Sequence, residues 1–208
     1  ICRRAFALHA DVSDKAQVTA MAAAAIERVG AIDAVVNNAG ILITSPVETL
    51  DDGVWDAVMD VNAKGTFLVI QALLPHMRAR GYGRIVNIGS IHSLVASPYK
   101  SAYVAAKHGL IGLSKVLALE TADCDITANT LCPSYVRTPL VERQIADQAR
   151  TRGIAEDAVI REVMLKPMPK GAFIEYDELA GTVAFLMSHA ARNLTGQAIA
   201  IDGGWTAQ

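Results

Sequence analysis

Short runs of consecutive apolar residues alternate with longer stretches in which apolar residues recur every three or four positions. The runs are Ala5–His9, Asp33–Asn37, Arg84–Ile88, Ile126–Leu131 and Gln197–Ile201, several of them bounded by Gly, Asn or Asp. They read as strands, several of them apolar enough for burial on both faces of a parallel sheet. Ser13 is placed to cap a helix carrying Val18, Met21, Ala22, Ala25 and Ile26, with Gly30 just past its end. Thr49 and Asp52 have capping-box spacing and open a long helix through Trp55, Val58, Val61, Phe67 and Ile70. Further helices are predicted over Ser101–Leu119 and Glu178–Ser188, and the more polar stretch Pro139–Ile174 is helical in parts. This alternation predicts an α/β fold, a doubly wound parallel sheet in one domain over 1–208.

In such a sheet, ligands bind beyond the carboxyl ends of the strands. Those ends carry Asn38-Ala39-Gly40, Gly89-Ser90-Ile91-His92 and Cys132-Pro133-Ser134. Composition narrows the choice of ligand. The chain has 208 residues, 52% of them apolar, and a formal net charge of −2. That is enough for one sizeable core. The charge lacks the basic excess expected of a binder of nucleic acid or anionic membranes. The densest apolar run, Phe67–Leu74, is broken by Gln71 and falls short of the ~20 residues of a membrane span. No apolar stretch follows Ile1–Arg4 to make a signal peptide. Cys2, Cys124 and Cys132 are odd in number and suit a reducing cytoplasm. None of the histidines has metal-ligand spacing, so no metal site is expected.

Tyr103 and Lys107 are four apart near a predicted helix start, so they share a face. A phenol near pKa ~10 is a poor base, and an adjacent ammonium would favour its phenolate. With Ser90 at a strand end, the set suits reversible proton transfer to an alcohol oxygen. Alone, Tyr103 and Lys107 would be an ordinary surface pair, and Asn62 a polar residue on a helix face.

Asn38-Ala39-Gly40, Asn62, Ser90, Tyr103-Val104-Ala105-Ala106-Lys107 and Asp202-Gly203-Gly204 resemble, in order and spacing, the short-chain dehydrogenase/reductase family. The resemblance spans almost the whole chain. It implies a Rossmann-type fold, NAD(P)-dependent hydride transfer, and a catalytic set of Asn62, Ser90, Tyr103 and Lys107. By that likeness Tyr103 is the acid/base, Ser90 positions the carbonyl, Lys107 lowers the Tyr103 pKa and holds the nicotinamide ribose, and Asn62 anchors a relay water. Asp11, Val12, Asn38, Ala39, Gly40, Pro133, Val136 and Thr138 would line the cofactor. The helices around 55–74 and 101–119 resemble those that join family members into homodimers or homotetramers.

Within the family, the stretches Ser90–Ser97, Lys100–Tyr103, Thr138–Ile145 and Asp202–Gln208 resemble the bacterial D-3-hydroxybutyrate dehydrogenases. That likeness implies NAD as cofactor and a small hydroxy acid or its ketone as substrate, its carboxylate held by His92, Lys100 and Gln144. A small anion in a closed pocket does need such donors to replace its water. Each also has a plainer reading: His92 serving a loop carbonyl, Lys100 a solvated charge, Gln144 a surface residue. Two positions depart from the pattern: Leu42 stands where those enzymes have a further carboxylate-binding Gln, and Ser134-Tyr135 where Gly-Trp is usual. Uncharged alcohols, sugar alcohols and 3-oxoacyl substrates therefore remain as alternatives.

The family pattern also opens with two strands around a T-G-x-x-x-G-x-G turn, and Ile1–Arg4 supplies none of it. In strand order 3-2-1-4-5-6 those strands sit at the sheet centre. The expectation is an N-terminally incomplete domain lacking its first two strands, part of a longer polypeptide, and a weak dinucleotide binder as it stands. The rival reading is a catalytically silent domain that only associates.

Overall fold

The computed structural model describes residues 5–207, with the backbone alone at Leu140. Cys2, the Ile1–Arg4 start and Gln208 lie outside the described residues. Four strands, β1 (Ala34–Asn37), β2 (Tyr82–Ile88), β3 (Asp125–Pro133) and β4 (Ala198–Ile201), form one parallel sheet in chain order. Neighbouring parallel strands need long crossovers, and helices supply them. Between β1 and β2 run α2 (Asp52–Met59) and α3 (Gly65–Arg80); between β2 and β3 runs α4 (Ser101–Glu120). Between β3 and β4 lie α5 (Pro139–Arg152), α6 (Glu156–Val159) and α7 (Tyr176–Met187). Helix α1 (Lys15–Val29) precedes the sheet and packs on α3.

Side chains alternate across the sheet, and the two faces carry separate cores. Ile85, Ile126 and Ala128 pack with Ile70 and Met77 of α3 and Leu117 of α4. Val86 and Leu131 point the other way, onto Leu186 of α7. Helices therefore cover both faces, the doubly wound arrangement expected from the sequence pattern.

Several local expectations are corrected. Ala5–His9 forms no strand and is mostly exposed. Apolar residues favour an extended chain, but a strand exists only when a neighbour takes its N–H and C=O groups; among the described residues none does so here. Asp14, not Ser13, caps α1, because its carboxylate reaches the N–H groups of Ala16 and Gln17 at 2.8 and 3.2 Å. Gly30 does end α1, at φ 74°, a conformation that favours glycine. Asp51 caps α2 through Gly53 and Val54, while Thr49 belongs to a separate 3₁₀ turn. A π turn, Asp60–Lys64, joins α2 to α3 without a break. The resulting 29-residue helix Asp52–Arg80 has the length and apolar composition of a membrane span, unlike the short run read from the sequence. Its apolar side, including Leu68, Val69, Ile70, Leu73 and Met77, is buried against α1 and the sheet.

At the amino end of the sheet, Arg84 is fully buried. Nη1 donates to the carbonyls of Gly83 (2.9 Å) and Asp125 (2.8 Å), and the guanidinium lies over the Tyr82 ring. Nη2 sits 2.9 Å from the half-exposed Asp125 carboxylate, an ion pair without hydrogen-bond alignment. Arg84→Ala removes both side-chain hydrogen bonds and empties a fully buried position, and is expected to cost about 2–4 kcal/mol in urea unfolding. An unchanged midpoint would show that water replaces the guanidinium.

Candidate active site

The carboxyl ends of β1, β2 and β3 converge on one region, and a buried polar chain fixes their relative height. In the sheet register Asn37 faces Asn87, and Asn87 faces Thr130. Asn37 Nδ2 donates to Asn87 Oδ1 (2.8 Å), and Asn87 Nδ2 to Ser114 Oγ (3.0 Å). Ser114 Oγ and Thr130 Oγ1 are hydrogen-bonded at 2.8 Å, and Thr130 Oγ1 donates to the Leu110 carbonyl. The chain ties three strands to α4, the helix that carries Tyr103 and Lys107. Sequence reasoning missed it, although single polar residues near the ends of buried strands were its visible signal.

Beyond β2, Gly89 leads into a 3₁₀ turn over Ile91–Ser93 that orders two candidate residues. Ser90 Oγ accepts the His92 N–H (3.1 Å), and Ser93 Oγ accepts the Ser90 N–H (3.1 Å). Tyr99, just before α4, has φ 68°, rare for a side chain with a Cβ and a cost of about 1 kcal/mol. Its carbonyl accepts the Ser45 N–H at 2.9 Å, pinning the loop after β1 to the start of α4. Lys100 follows, and its Nζ lies 3.1 Å from His92 Nε2.

Burial, reinforced by the Lys100 charge, holds His92 down at a pKa of about 4, with the backbone at Val95 acting weakly the other way. The ring is thus neutral near pH 7; Nε2 accepts from Lys100 and the proton sits on Nδ1, where the Val95 backbone stands nearby without full hydrogen-bond geometry. Burial also lowers the Lys100 pKa. No carboxylate pairs with Lys100 among the described residues. A half-buried cation beside a neutral imidazole is short of one negative charge.

The Tyr103 ring stands edge-on to His92, with centroids 6.3 Å apart. Lys107 Nζ donates to the Ile88 carbonyl (2.7 Å) and lies 5.7 Å from the centre of the Tyr103 ring. Burial lowers the Lys107 pKa to about 8. It also raises that of Tyr103, against the opposing pull of the nearby Ser90 hydroxyl. In this structure the Lys107 ammonium sits on a backbone carbonyl, and desolvation of the phenol prevails in setting the direction of the Tyr103 shift. At neutral pH the pair is phenol and ammonium.

Asn62 is fully buried in the π turn. Nδ2 donates to the carbonyls of Ile41 (2.9 Å) and Val58 (2.8 Å), and Oδ1 accepts the Ile41 N–H (3.2 Å). Gly40 passes so close that a Cβ there would lie 2.8 Å from Asn62 Oδ1 and 3.6 Å from Lys107 Nζ. Asn62, Ser90, His92, Lys100, Tyr103 and Lys107 thus gather around one point, with Gly40 as bare backbone beside it.

The expected cofactor residues lie around this cluster less tightly. Val12, Asn38 and Ala39 share a groove of about 210 Å³ with Val35, Gly65 and Thr66. Asp11 faces solvent, accepting from Ser13 N and Oγ. Pro133 ends β3, Val136 bridges to Ile174, and Thr138 caps α5. Gln144 is half-buried on α5, with no hydrogen bond to His92 or Lys100. The bare backbone at Gly40, beside a lysine and a buried amide, fits the approach of a nicotinamide nucleotide. Trp205 is an addition: its indole is edge-on to His92 at 6.1 Å and stacked on Tyr135 at 6.1 Å. The sequence marked it only as part of a C-terminal likeness.

Comparison with known proteins agrees with this geometry. A family model described as enoyl-(acyl carrier protein) reductase matches residues 2–206. The chain is 48% identical over 199 residues to a D-beta-hydroxybutyrate dehydrogenase of Rhizobium meliloti (strain 1021), and 44% identical to one of Cupriavidus necator. Each alignment covers 96% of this chain and 77% of the relative. Among solved structures, a gluconate 5-dehydrogenase from Burkholderia cenocepacia J2315, in complex with NADP and tartrate, superposes with a TM-score of 0.86 at 38% identity, covering 96% of this chain and 74% of its own.

Proposed function

The chain belongs to the short-chain dehydrogenase/reductase family of oxidoreductases, and from that premise we propose a substrate, a cofactor and an assembly. The reaction is hydride transfer between NAD and the secondary alcohol or ketone of a small hydroxy acid, D-3-hydroxybutyrate and acetoacetate, in the cytoplasm. The carrying observation is the Lys100–His92 pair, half-buried cation and neutral imidazole at 3.1 Å, beside Tyr103 and without a carboxylate of its own. The 48% identity to a D-beta-hydroxybutyrate dehydrogenase supports the same reading.

The bound nicotinamide supplies the hydride acceptor for oxidation and the donor for reduction. Asn38, Ala39, Gly40 and Lys107 would hold its inner half, with Asp11, Val12, Pro133, Val136 and Thr138 further along. The Lys100 ammonium takes the substrate carboxylate and His92 fixes its approach, while Ser90 hydrogen-bonds the reacting oxygen. Tyr103 gives that oxygen its proton in reduction and removes it in oxidation. Both Nδ2 hydrogens of Asn62 are spent on backbone carbonyls, so a relay water there is held through oxygen atoms.

The test is a substrate panel with NAD and NADP. D-3-hydroxybutyrate should exceed its methyl ester by about 10–100-fold in kcat/KM, the range of a charge-assisted contact. Lys100→Met should raise KM for the acid about tenfold or more and leave the ester unchanged. Preference for the ester, a sugar alcohol or a 3-oxoacyl thioester would favour the alternative that Leu42 suggests. Absence of both turnover and NADH binding would favour a domain that only associates.

The assembly proposed is a homodimer or homotetramer through α3 and α4. On α4, Ala105, Gly109, Gly112, Val116 and Leu119 are exposed at alternating spacings of four and three, one continuous stripe. Leu119 is 79% exposed, and Phe67 of α3 is also uncovered. Added Cβ atoms at Gly109 and Gly112 would meet nothing within 4 Å, so a second helix has room to approach. Gly112→Arg should shift the sedimenting species to monomer; an unchanged mass would place the contact elsewhere.

A further inference from the structure

Ser90 stands at a joint with little stiffness of its own. Gly89, the residue before it, lacks the Cβ that restricts backbone rotation. The Gly89 N–H is anchored on the Leu131 carbonyl at 2.7 Å, which fixes the joint on the strand side only. Beyond it the chain leaves β2 and enters the 3₁₀ turn, with Ser90 extended at φ −164° and ψ 165°. Where the Ser90 hydroxyl points depends on that backbone.

Ser93 grips Ser90 at both of its backbone groups. Its Oγ accepts the Ser90 N–H at 3.1 Å, and its own N–H donates to the Ser90 carbonyl at 2.8 Å. Ser90 Oγ in turn accepts the His92 N–H at 3.1 Å. That bond uses a lone pair and leaves the Ser90 proton for an acceptor outside the turn. The Ser93 hydroxyl is itself seated. A Cβ at Gly89 would lie 2.7 Å from Ser93 Oγ, 2.7 Å from Thr130 Cγ2 and 3.2 Å from Cys132 Sγ. The glycine that loosens the joint thus makes room, against the end of β3, for the group that locks it.

We propose that Ser93 is a positioning residue for the reaction, holding the Ser90 backbone so that the Ser90 hydroxyl meets the reacting oxygen in one geometry. The inference rests on the role given to Ser90 above. Ser93 is only 1% exposed, so its effect passes through Ser90 and not through a contact with substrate. A displacement of about 1 Å at a reacting group can cost 10²-fold in rate, and the loss of one hydrogen bond behind it disturbs the group less.

The test compares Ser93→Ala, Ser90→Ala and the double variant in the full chain, with NAD and either D-3-hydroxybutyrate or its methyl ester. Ser93→Ala should lower kcat about tenfold, equally on acid and ester, with KM within twofold. Ser90→Ala should lower it about 10²-fold, the scale of one lost donor to a reacting oxygen. In that background Ser93→Ala should cost less than twofold more, because the group it positions is already gone. Hydrogen exchange at the Ser90 amide, read by NMR without substrate, should be about tenfold faster or more in Ser93→Ala. Multiplicative losses in the double variant overturn the proposal, as does an unchanged kcat or an unchanged exchange rate. A loss on the acid alone would place the effect in the Lys100–His92 pair and overturns it too. If Ser93→Ala does not fold, Ser93→Cys keeps a weaker acceptor and should give smaller changes of the same kind; no change counts against the role. If wild type itself does not turn over, the reading of the reaction fails, while exchange at Ser90 still decides whether Ser93 holds it.

Discussion

Tyr103→Phe should lower turnover by about 10²–10⁴-fold, in either direction and on whichever secondary alcohol or ketone the chain accepts, because it deletes the one group placed to move the reacting proton. The change removes a hydroxyl and keeps the ring, so the edge-on contact with His92 survives. One hydrogen bond nets about 1 kcal/mol, and the melting midpoint should move by no more than about 4 °C. The sign of the pH dependence follows from the same residue. Burial raises the Tyr103 pKa, so the resting form is the phenol, the form that protonates a ketone oxygen. In kcat/KM, oxidation should therefore climb with rising pH as the base form is populated, and reduction should fall. A variant as active as wild type would move the role elsewhere. The neighbouring phenol to examine is Tyr135, whose pKa burial and Tyr103 both raise.

Acidification from pH 6.5 to about 4 should cost the fold about 3 kcal/mol through His92 alone. Its pKa in the folded chain is lowered to about 4 from an ordinary 6.5, burial being the main cause. Below pH 6.5 the unfolded chain binds a proton that the folded ring refuses, so stability falls with pH, and the loss levels off below about 4. Urea midpoints at intervals across this window should show the slope in wild type and a flatter curve in His92→Asn. Asp11, Asp14 and Asp202 also have lowered values, but theirs act below pH 3.8, as carboxylates that the fold stabilises become protonated. The two windows can thus be separated. Parallel curves for wild type and variant between pH 6.5 and 4 would show that the ring is solvated or paired in the folded state.

The elements were legible wherever periodicity and punctuation agreed. Four of the five strand candidates, the long helix through Trp55 and Ile70, and the Gly30 terminus follow from local rules, because burial on two faces and the missing Cβ of glycine leave few choices. Caps moved by one or two residues, since Asp14 and Asp51 sit beside residues of equal promise and only the backbone path decides which side chain reaches the free N–H groups. Ser90, Tyr103 and Lys107 were legible as a chemical set from their residue types and spacing, whereas Asn62 joined them only through the family resemblance. What the sequence by itself determined about this protein is the doubly wound pattern, the strand ends as the place for chemistry, and the family. Only the tertiary structure decided that Ala5–His9 is not a strand, because pairing partners are not a property of the segment. It alone decided that Lys107 rests on the Ile88 carbonyl and that the Tyr103 pKa rises, since desolvation depends on everything packed around a group. It also brought Trp205, 113 residues after His92 in the chain, against that ring, a contact set by the packing of the whole sheet.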